Sequence, residues 1–341
     1  MTHARLTRKL PRWTLQVDFP LAAGITALAG PAASGKSTIL SAIGGFLRPD
    51  SGRILVEDAI VFDGDTSVNL PPRRRQVGYI GPGDALFPNM TVKQNLMFGA
   101  QRWARLERHK RVAAMAERFD LASTMESKPR DLSPLQKLNC AVARALLAEP
   151  KLLLIDERGA GEPLLARIRD AFAGSVLLVT HDLDLGYAAA AELILLDAGR
   201  IVQRGPARQV IEAPDSPEAA RLLGVENIFP AEIAALDPGR KTSLLQCAGF
   251  ELSAPYLKGH FNGDHVTAAI RAQDVRVHSG EIESGVNFVA AELSRVVERT
   301  RTVRLEFAGG MVAEMPRPQW EQQRDNRSWQ MEFPPAALRV F

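Results

Sequence analysis

Long apolar runs, cysteines and aromatic residues are all scarce in this chain of 341 residues. No segment approaches the run of about 18 apolar residues that a membrane-spanning helix needs. Aromatic residues make up 6% of the chain, and the two cysteines, Cys140 and Cys247, lack the spacing of a metal site or a disulfide framework. We therefore expect two reduced thiols, in the core or on the surface, and a cytoplasmic location.

Targeting segments and nucleic-acid motifs are lacking as well. The first residues carry charges but no apolar segment behind them, which argues against a secretory signal. The net charge is +3 and the pI about 9.0, yet Lys and Arg are scattered and accompany no motif that reads DNA or RNA. We expect no nucleic-acid partner; a surface that rests against an anionic membrane or its proteins has the same composition.

Hydrophobic patterning predicts an α/β core in the first part of the chain. Apolar runs without alternation are typical of parallel strands covered on both faces, and they occur at residues 25–29, 77–80, 152–155, 176–179 and 193–196. Residues 15–19 alternate between apolar and polar, and residues 54–56 and 60–62 flank an acidic turn, which together predict an antiparallel layer beside the core. The spacing of Val112, Met115, Ala116 and Phe119 is that of an amphipathic helix.

The pattern changes near residues 213–217, where proline and acidic residues interrupt the helical spacing. Beyond Gly224, short strands are predicted at residues 266–271, 275–278, 288–293, 302–307 and 311–314. Evenly spaced short strands indicate a small β-barrel. We therefore predict a first domain over residues 1–223, with a helical subdomain at about 89–149, and a second, all-β domain over residues 224–341.

A phosphate-binding loop is the most specific motif in the sequence. It consists of Gly30, Pro31, Ala32, Ala33, Ser34, Gly35, Lys36, Ser37 and Thr38, which match G-x-x-x-x-G-K-[ST] between a predicted strand and a predicted helix. Backbone amides at a helix N-terminus donate to phosphate oxygens, and the two glycines allow the backbone to approach them closely. We expect Lys36 to reach the β- and γ-phosphates of ATP and the Ser37 hydroxyl to bind Mg²⁺. The alternative is a chance turn between strand and helix.

Two acidic residues and a histidine follow predicted buried strands. Asp156 and Glu157 stand at the carboxyl end of one such strand, where open α/β sheets bind ligands. We expect Asp156 to hold Mg²⁺ and Glu157 to polarise the water that attacks the γ-phosphate. His181 follows the next strand, where its imidazole could bond to the γ-phosphate or hold that water. The alternatives are a carboxylate pair that caps the next loop and a structural histidine.

The sequence resembles the ABC ATPase family, because four motifs follow one another in the order usual for that family. They are the phosphate loop, Leu132-Ser133 before a helix, Asp156-Glu157 and Thr180-His181-Asp182. The segments 70–79 and 86–88 are similar to importer ATPases, especially the molybdate-importer kind, and residues 270–275 and 284–287 to their appended TOBE or oligonucleotide-like regulatory barrel. The resemblance implies a P-loop NTPase core with an antiparallel layer and a helical subdomain, binding ATP and Mg²⁺. It also implies a homodimer or heterodimer of ATPase subunits beside a transmembrane permease, on the inner face of the cell membrane.

Several positions depart from the family pattern. The LSGGQ signature, which in the family contacts the ATP of the other subunit, is replaced by a segment with Pro134 and Leu135 between Ser133 and Gln136. Ser133 and Gln136 can form a capping box with Pro134 at the first helical position, but proline offers no N–H to a phosphate. Pro82 stands near the family's magnesium-binding glutamine. The D-loop after Glu157 is also altered, and the spacer to His181 is about two helical turns short.

For two further sites, one that stacks on adenine and one that binds an anion in the barrel, the sequence offers candidate residues with alternative roles. Trp13 is the nearest candidate to stack on adenine, and the alternative is an ordinary turn tryptophan. Ser284 and Asn287 could donate to an oxyanion, although we favour a turn role for both. Two functions stand against each other: an importer ATPase for a solute such as molybdate, and a catalytically weakened regulatory subunit that pairs with an intact ATPase. A DNA-associated ATPase is disfavoured, since we find no coiled-coil insertion.

Overall fold

The computed structural model describes residues 1–83, 86–156, 159–279, 285–324 and 328–341. These fall into two compact units, Met1–Ala213 and Pro214–Phe341. The domain boundary at residues 223/224 stays a prediction.

The described residues of the first unit form two sheets and seven α-helices. Its strands are β1 (Thr2–Lys9), β2 (Thr14–Leu21), β3 (Gly24–Ala29), β4 (Ser51–Val56), β5 (Ala59–Asp63), β6 (Val68–Asn69), β7 (Val77–Ile80), β8 (Leu152–Ile155), β9 (Ser175–Val179), β10 (Glu192–Asp197) and β11 (Arg200–Pro206). Its helices are α1 (Lys36–Gly44), α2 (Val92–Gly99), α3 (Arg105–Arg118), α4 (Pro134–Leu147), α5 (Glu162–Ala171), α6 (Leu183–Ala189) and α7 (Ala207–Glu212).

The mainly parallel sheet has the order β11-β10-β3-β9-β8-β7, with only the β10–β11 pair antiparallel. Strands β8 and β9 are buried at every position, as their unbroken apolar sequences predict. The second sheet, β2-β1-β4-β5-β6, is antiparallel throughout. In β2, buried and exposed residues alternate at Leu15, Val17 and Phe19, which confirms the predicted half-buried strand.

Two hydrophobic clusters hold the first unit together. One packs α1 between the two sheets, with Ile39, Leu40 and Ile43 almost fully buried. The other joins the parallel sheet to the helices of the predicted helical subdomain, where Val112, Ala116 and Phe119 are buried as the helical spacing predicts. The predicted α/β core with an antiparallel layer is therefore confirmed.

The second unit is mostly β-structure. Its elements are α8 (Pro217–Leu222), β12 (Asn227–Asp237), β13 (Thr242–Cys247), β14 (Phe250–Pro255), β15 (His265–Ile270), β16 (Arg276–Ser279), β17 (Phe288–Ala291), β18 (Leu293–Glu298), β19 (Thr302–Phe307), β20 (Val312–Pro316), α9 (Arg317–Gln323), β21 (Trp329–Glu332) and β22 (Arg339–Val340). They form sheets β14-β13-β12-β15-β22, β16-β21-β17 and β18-β19-β20 around one core. Several small sheets about a shared core agree with the predicted oligonucleotide-like fold. Strands β12 to β14 were not identified from the sequence.

Both cysteines are buried, Cys140 in α4 and Cys247 in β13. Burial raises the pKa of Cys140 to about 12 and that of Cys247 to about 11. Both side chains are therefore protonated thiols at neutral pH and unreactive as nucleophiles. The sequence left open whether the two thiols lie in the core or on the surface, and the structure places both in the core.

Candidate functional site

Four neighbouring parallel strands end at one edge of the sheet of the first unit. In the order β3-β9-β8-β7 they run into Gly30, His181, Asp156 and Pro82, respectively. The carboxyl edge of an open parallel sheet is where ligands bind, because loops and helix N-termini converge there. The sheet order thus brings together residues that are far apart in the sequence.

A cavity of about 1570 Å³ lies along this edge. Nine of the predicted site residues line it: Trp13, Ala32, Ala33, Gly35, Lys36, Ser37, Thr38, Asp156 and His181. Leu10, Pro11, Arg12 and Pro82 line it as well. Arg12, an exposed residue, is a second cation that lines this cavity, and sequence reasoning missed it. A single arginine in a turn belongs to no sequence motif, so Arg12 could not be identified as a cavity residue from the sequence.

The two glycines of the phosphate loop are required by close packing. Gly30 has φ +153°, and a Cβ there would lie 2.0 Å from the carbonyl oxygen of Leu196 in β10. Gly35 has φ +110°, and a Cβ there would lie 2.8 Å from the indole ring of Trp13. Any side chain at either position would push the loop away from its supports. The glycines therefore fix the loop against β10 and the β1–β2 turn.

The ammonium of Lys36 lies across the phosphate loop. Its Nζ donates to the carbonyl oxygens of Gly30 at 2.9 Å and Pro31 at 2.6 Å, and to Ser34 Oγ at 3.3 Å. The backbone of Ser34 is fixed too, since its carbonyl accepts from the N–H of Gly199 at 3.0 Å. Lys36 is buried to 6% exposure, so its charge is held within the loop and beside the cavity.

Helix α1 begins at the cavity with Lys36, Ser37 and Thr38 as its first three residues. The first amides of a helix have no intrahelical partner, and within the described residues no side chain caps α1, because its N-cap is Gly35. Ala33, with φ +62°, places a left-handed residue just before them. Alternating backbone conformations of this kind form anion-binding concavities. Amides, dipole and Lys36 together can neutralise a chain of phosphates.

Asp156 stands directly after β8, with its N–H donating to the carbonyl of Ile80 in β7 at 2.7 Å. Its Oδ2 is buried and has no hydrogen-bond partner within the described part of the chain. The carboxylate lies near Tyr79: burial raises the pKa of Tyr79, and the negative charge of Asp156 adds to that increase. An orphaned carboxylate oxygen that lines the cavity is the kind of ligand that Mg²⁺ prefers.

His181 lies in a turn that its neighbours hold in place. Thr180 Oγ1 accepts from the N–H of Asp182 at 3.0 Å and donates to the Asp182 carbonyl at 3.2 Å. The Asp182 carboxylate in turn caps α6, accepting from the N–H of Leu185 at 3.0 Å. The imidazole is exposed and lines the cavity next to the phosphate loop. Its catalytic role stays a prediction.

Trp13 lies in the turn between β1 and β2, where its carbonyl accepts from the N–H of Leu10 at 2.9 Å. Its indole packs on two glycines, since a Cβ at Gly199 would lie 2.4 Å from the ring, as one at Gly35 would at 2.8 Å. The ring is partly exposed and lines the cavity beside the phosphate loop. An adenine-stacking role stays a prediction, and the location agrees with it.

Helix α4 begins with the capping box that the sequence predicts. Ser133 Oγ accepts from the N–H of Gln136 at 3.2 Å, and Gln136 Oε1 accepts from the N–H of Ser133 at 2.9 Å. Pro134 occupies the first helical position, and the side chain of Leu135 is 50% exposed. The polar groups of Ser133 and Gln136 therefore bond to each other's backbone, and a contact of either with a second subunit's ATP stays a prediction.

Some predicted positions lie outside the described residues, namely Glu157, Arg158 and Ser284. Asn287 lies within the described residues and is buried, with 5% of its surface exposed. Its Oδ1 accepts from the N–H of Ser253 at 2.7 Å, and its Nδ2 donates to the carbonyls of Ser253 and Phe333 at 3.1 and 2.5 Å. Both donor hydrogens are thus used by the protein, which supports the turn role that we favoured for Asn287.

Comparison with known proteins is consistent with this geometry. The ABC transporter family matches residues 16–160. The molybdenum import ATP-binding protein ModC of Rhodospirillum rubrum is 31% identical over 301 residues, covering 86% of this chain and 76% of that protein. The molybdate/tungstate import ATP-binding protein WtpC of Archaeoglobus fulgidus is 33% identical over 234 residues, covering 66% of this chain and 95% of that protein.

Solved structures show the same fold. The structure of cbiO1 from Clostridium perfringens, part of the ABC transporter complex cbiONQ, superposes with a TM-score of 0.54 at 24% identity. The match covers 65% of this chain and 94% of that chain. This likeness shows the fold. The sequence relatives, which extend over most of its length, show that the chain belongs to the ABC transporter family of ATP-binding proteins.

Proposed function

We propose that this chain hydrolyses ATP to drive import of an oxyanion of the molybdate or tungstate class through a separate permease. The observation that carries the proposal is the shared cavity, which the phosphate loop, Asp156 and His181 all line. Binding and hydrolysis of a nucleoside triphosphate need these groups within reach of one another. The cargo class comes from the names of relatives that match most of the chain.

Mg²⁺ fits the residues at this site. Asp156 supplies an orphaned buried oxygen, and the Ser37 hydroxyl lies at the same cavity in the first turn of α1. When bound, the ion would neutralise charge on the β- and γ-phosphates. Ser37 and Asp156 would hold it, while Lys36 and the amides of the loop bind and orient the phosphates. Trp13 would place the adenine.

The water that attacks the γ-phosphate needs a base and a positioning group. Glu157 follows Asp156 directly and is the proposed base, and His181 is the proposed positioning group from the neighbouring strand. Removal of a general base lowers a rate by about 10² to 10⁴-fold. The roles of both residues are the part of the proposal most open to direct test.

The proposal includes two partners, a permease and a second ATPase subunit, and a location on the inner face of the cell membrane. In the part of the chain that the structure describes, no helix combines the length and apolar character needed for a membrane crossing. The proposed permease is a separate membrane protein, to which this chain would attach peripherally.

The test is ATP hydrolysis by the chain reconstituted with its permease in vesicles that contain the cargo-binding protein and molybdate. We expect hydrolysis in the wild type and a loss of about 100-fold or more in Glu157→Gln. The matched control is Glu162→Gln, an exposed carboxylate at the start of α5, which should hydrolyse like the wild type. Equal rates in Glu157→Gln and wild type would rule out Glu157 as the base.

A weakened regulatory subunit is the second candidate, and the N-terminus of α4 favours it. Pro134 has no N–H, and the N–H of Gln136 already donates to Ser133, so two of the first three helical positions offer no amide to a phosphate. Such a chain would bind ATP at micromolar concentration with hydrolysis near background, and would gain activity beside an ATPase with an intact signature. Robust hydrolysis by the isolated chain would contradict this candidate.

A further inference from the structure

The largest of the fully buried side chains in the described residues is a cation, Arg75, which is 1% exposed. It lies outside the cavity and has no place in the proposed chemistry. Within the described part of the chain it makes four hydrogen bonds, all to uncharged oxygens: Leu70 O, Ala42 O, Ile43 O and Asn69 Oδ1. Burial lowers the pKa of Arg75 to about 10, so it remains charged at neutral pH. Burying a charge without a counter-ion is costly, and the bonds that it forms must offset that cost.

The guanidinium connects three segments of the first unit. Nε donates to Leu70 at 2.7 Å and one terminal nitrogen to Asn69 at 2.7 Å, which fixes the loop before β7. The other terminal nitrogen donates to the carbonyls of Ala42 at 2.7 Å and Ile43 at 2.9 Å, both in the last turn of α1. A cation at a helix C-terminus also interacts favourably with the helix dipole. Arg75 therefore ties the end of α1 to the entry of β7.

Gly45 shows how closely the backbone packs on this cation. The residue caps α1 with φ +86°, and a Cβ there would lie 2.6 Å from Nε of Arg75. Further along β7, the ring of Tyr79 lies against the same end of α1, since a Cβ at Gly44 would lie 3.5 Å from it. Arg75 and Tyr79 therefore both pack against the C-terminal part of α1.

Both fastened elements lead directly into the cavity. Helix α1 begins with Lys36 and Ser37, and a nine-residue helix of about 13 Å is a rigid lever between its two ends. Strand β7 continues into Pro82, which lines the same cavity. A shift of the C-terminus of α1 relative to β7 would therefore move the amides of the phosphate loop relative to the opposite wall.

We propose that Arg75 is a positioning residue of the phosphate site: it sets the distance between the first turn of α1 and the end of β7. This inference rests on the proposed function and adds to it a residue that acts from the far end of the helix. Misplacement of a binding group by about 1 Å can cost as much as 100-fold in the function that it serves.

The experiment measures binding of Mg-ATP and of inorganic tripolyphosphate to the full chain by calorimetry. Arg75→Met keeps an unbranched apolar stem but removes all four hydrogen bonds of the guanidinium. We expect it to raise the Kd for both ligands by the same factor of about ten or more, since only the phosphate part of the site moves. Arg75→Lys keeps the charge without the planar fork and should raise both Kd values by about threefold.

The matched control is Arg74→Met, because Arg74 precedes Arg75 directly and is exposed. Its Kd values should stay within about twofold of the wild type. Circular dichroism and the melting temperature establish that each variant is folded. If Arg75→Met does not fold, Arg75→Lys decides, because it retains a buried cation.

Three outcomes overturn the inference in different ways. A folded Arg75→Met, or Arg75→Lys in its place, that binds tripolyphosphate as tightly as the wild type would show that Arg75 serves stability alone. A loss of ATP binding without a matching loss of tripolyphosphate binding would place its effect elsewhere in the cavity. If the folded wild type binds neither ligand, the proposed function fails and the inference fails with it.

Discussion

Two helices of the first unit, α1 and α4, begin in opposite ways. Helix α1 follows Gly35, and within the described residues no side chain caps it, so that its first amides lie at the cavity. Helix α4 follows Ser133 and forms a complete capping box with Gln136, with Pro134 at its first position. One terminus leaves its amides for a ligand, while the other has no N–H at Pro134 and uses the N–H of Gln136 in its own cap.

The difference shows that helix stability and anion binding compete for the same amides. A capping box stabilises a helix by about 1 kcal/mol because it supplies acceptors that the first turn lacks. Those acceptors occupy the donors that a phosphate would need. In the proposed dimer the start of α4 faces the nucleotide of a second subunit. We therefore expect the capping box to stabilise the single chain at the expense of ATP hydrolysis by that dimer.

The largest expected effect comes from breaking the open terminus. Lys36→Ala removes the ammonium that lies across the phosphate loop. Without this charge, the phosphate loop binds the phosphates through its amides only, and we expect the Kd for Mg-ATP to rise by about 100-fold or more, which corresponds to about 2.7 kcal/mol. Isothermal titration calorimetry of the full chain measures this directly.

The control for Lys36 is a lysine in the first turn of α4. Lys137→Ala removes a charge next to a terminus that already satisfies its own amides, so the affinity of the isolated chain for ATP should be unchanged. Equal losses in both variants would mean that net charge, rather than the geometry of the phosphate loop, governs nucleotide binding.

A smaller effect is expected when the capped start of α4 is changed: ATP hydrolysis should rise while the free energy of unfolding falls. Pro134→Gly with Leu135→Gly restores bare amides at the start of α4. We expect hydrolysis in reconstituted vesicles to rise by about tenfold, because amides become available to developing charge on the phosphate. The same change should lower the free energy of unfolding by about 1 to 2 kcal/mol, since glycine is a poor helix former.

A double alanine variant separates the amide from the side chain. Pro134→Ala with Leu135→Ala also restores an N–H at position 134 but keeps a Cβ at both positions. Hydrolysis by the glycine variant should exceed hydrolysis by the alanine variant. Rates that do not differ among the two variants and the wild type would remove the start of α4 from the catalytic cycle and favour the regulatory candidate.

Local motifs of this molecule could be predicted from the sequence. The phosphate loop and the capping box depend on residues within a few positions of one another, and both lie where the spacing places them. Apolar runs likewise predicted β8 and β9, because a strand buried on both faces needs no alternation. In these cases a single short segment contains the whole physical cause.

Features that depend on distant parts of the chain could not be predicted. Nothing in the sequence orders β9 between β3 and β8, which is what places His181 beside the phosphate loop. Arg75 belongs to a run of three arginines that look alike, and only tertiary packing buries one of them. Strand β12 escaped detection because its exposed positions include Pro230 and Glu232, which obscure the strand pattern.

The smallest expected effect concerns backbone strain at the open terminus. Ala33 has φ +62° and is exposed, a left-handed conformation that costs a residue with a Cβ roughly 1 to 2 kcal/mol. Ala33→Gly removes this cost but adds about 0.4 to 1 kcal/mol of chain entropy to the unfolded state. We therefore expect the free energy of unfolding to rise by about 0.5 kcal/mol, which raises Tm by about 1 to 2 °C.

The neighbouring alanine gives the matched control for that strain. Ala32 is also exposed, but its backbone is not in the left-handed region, whereas that of Ala33 is. Ala32→Gly adds the same chain entropy with no strain to relieve, so it should lower the free energy of unfolding by about 0.5 to 1 kcal/mol. Opposite signs at two adjacent alanines would locate the strain in one residue. Equal signs would mean that the loop is not strained at Ala33, and that its shape follows from packing on β10 and Trp13 alone.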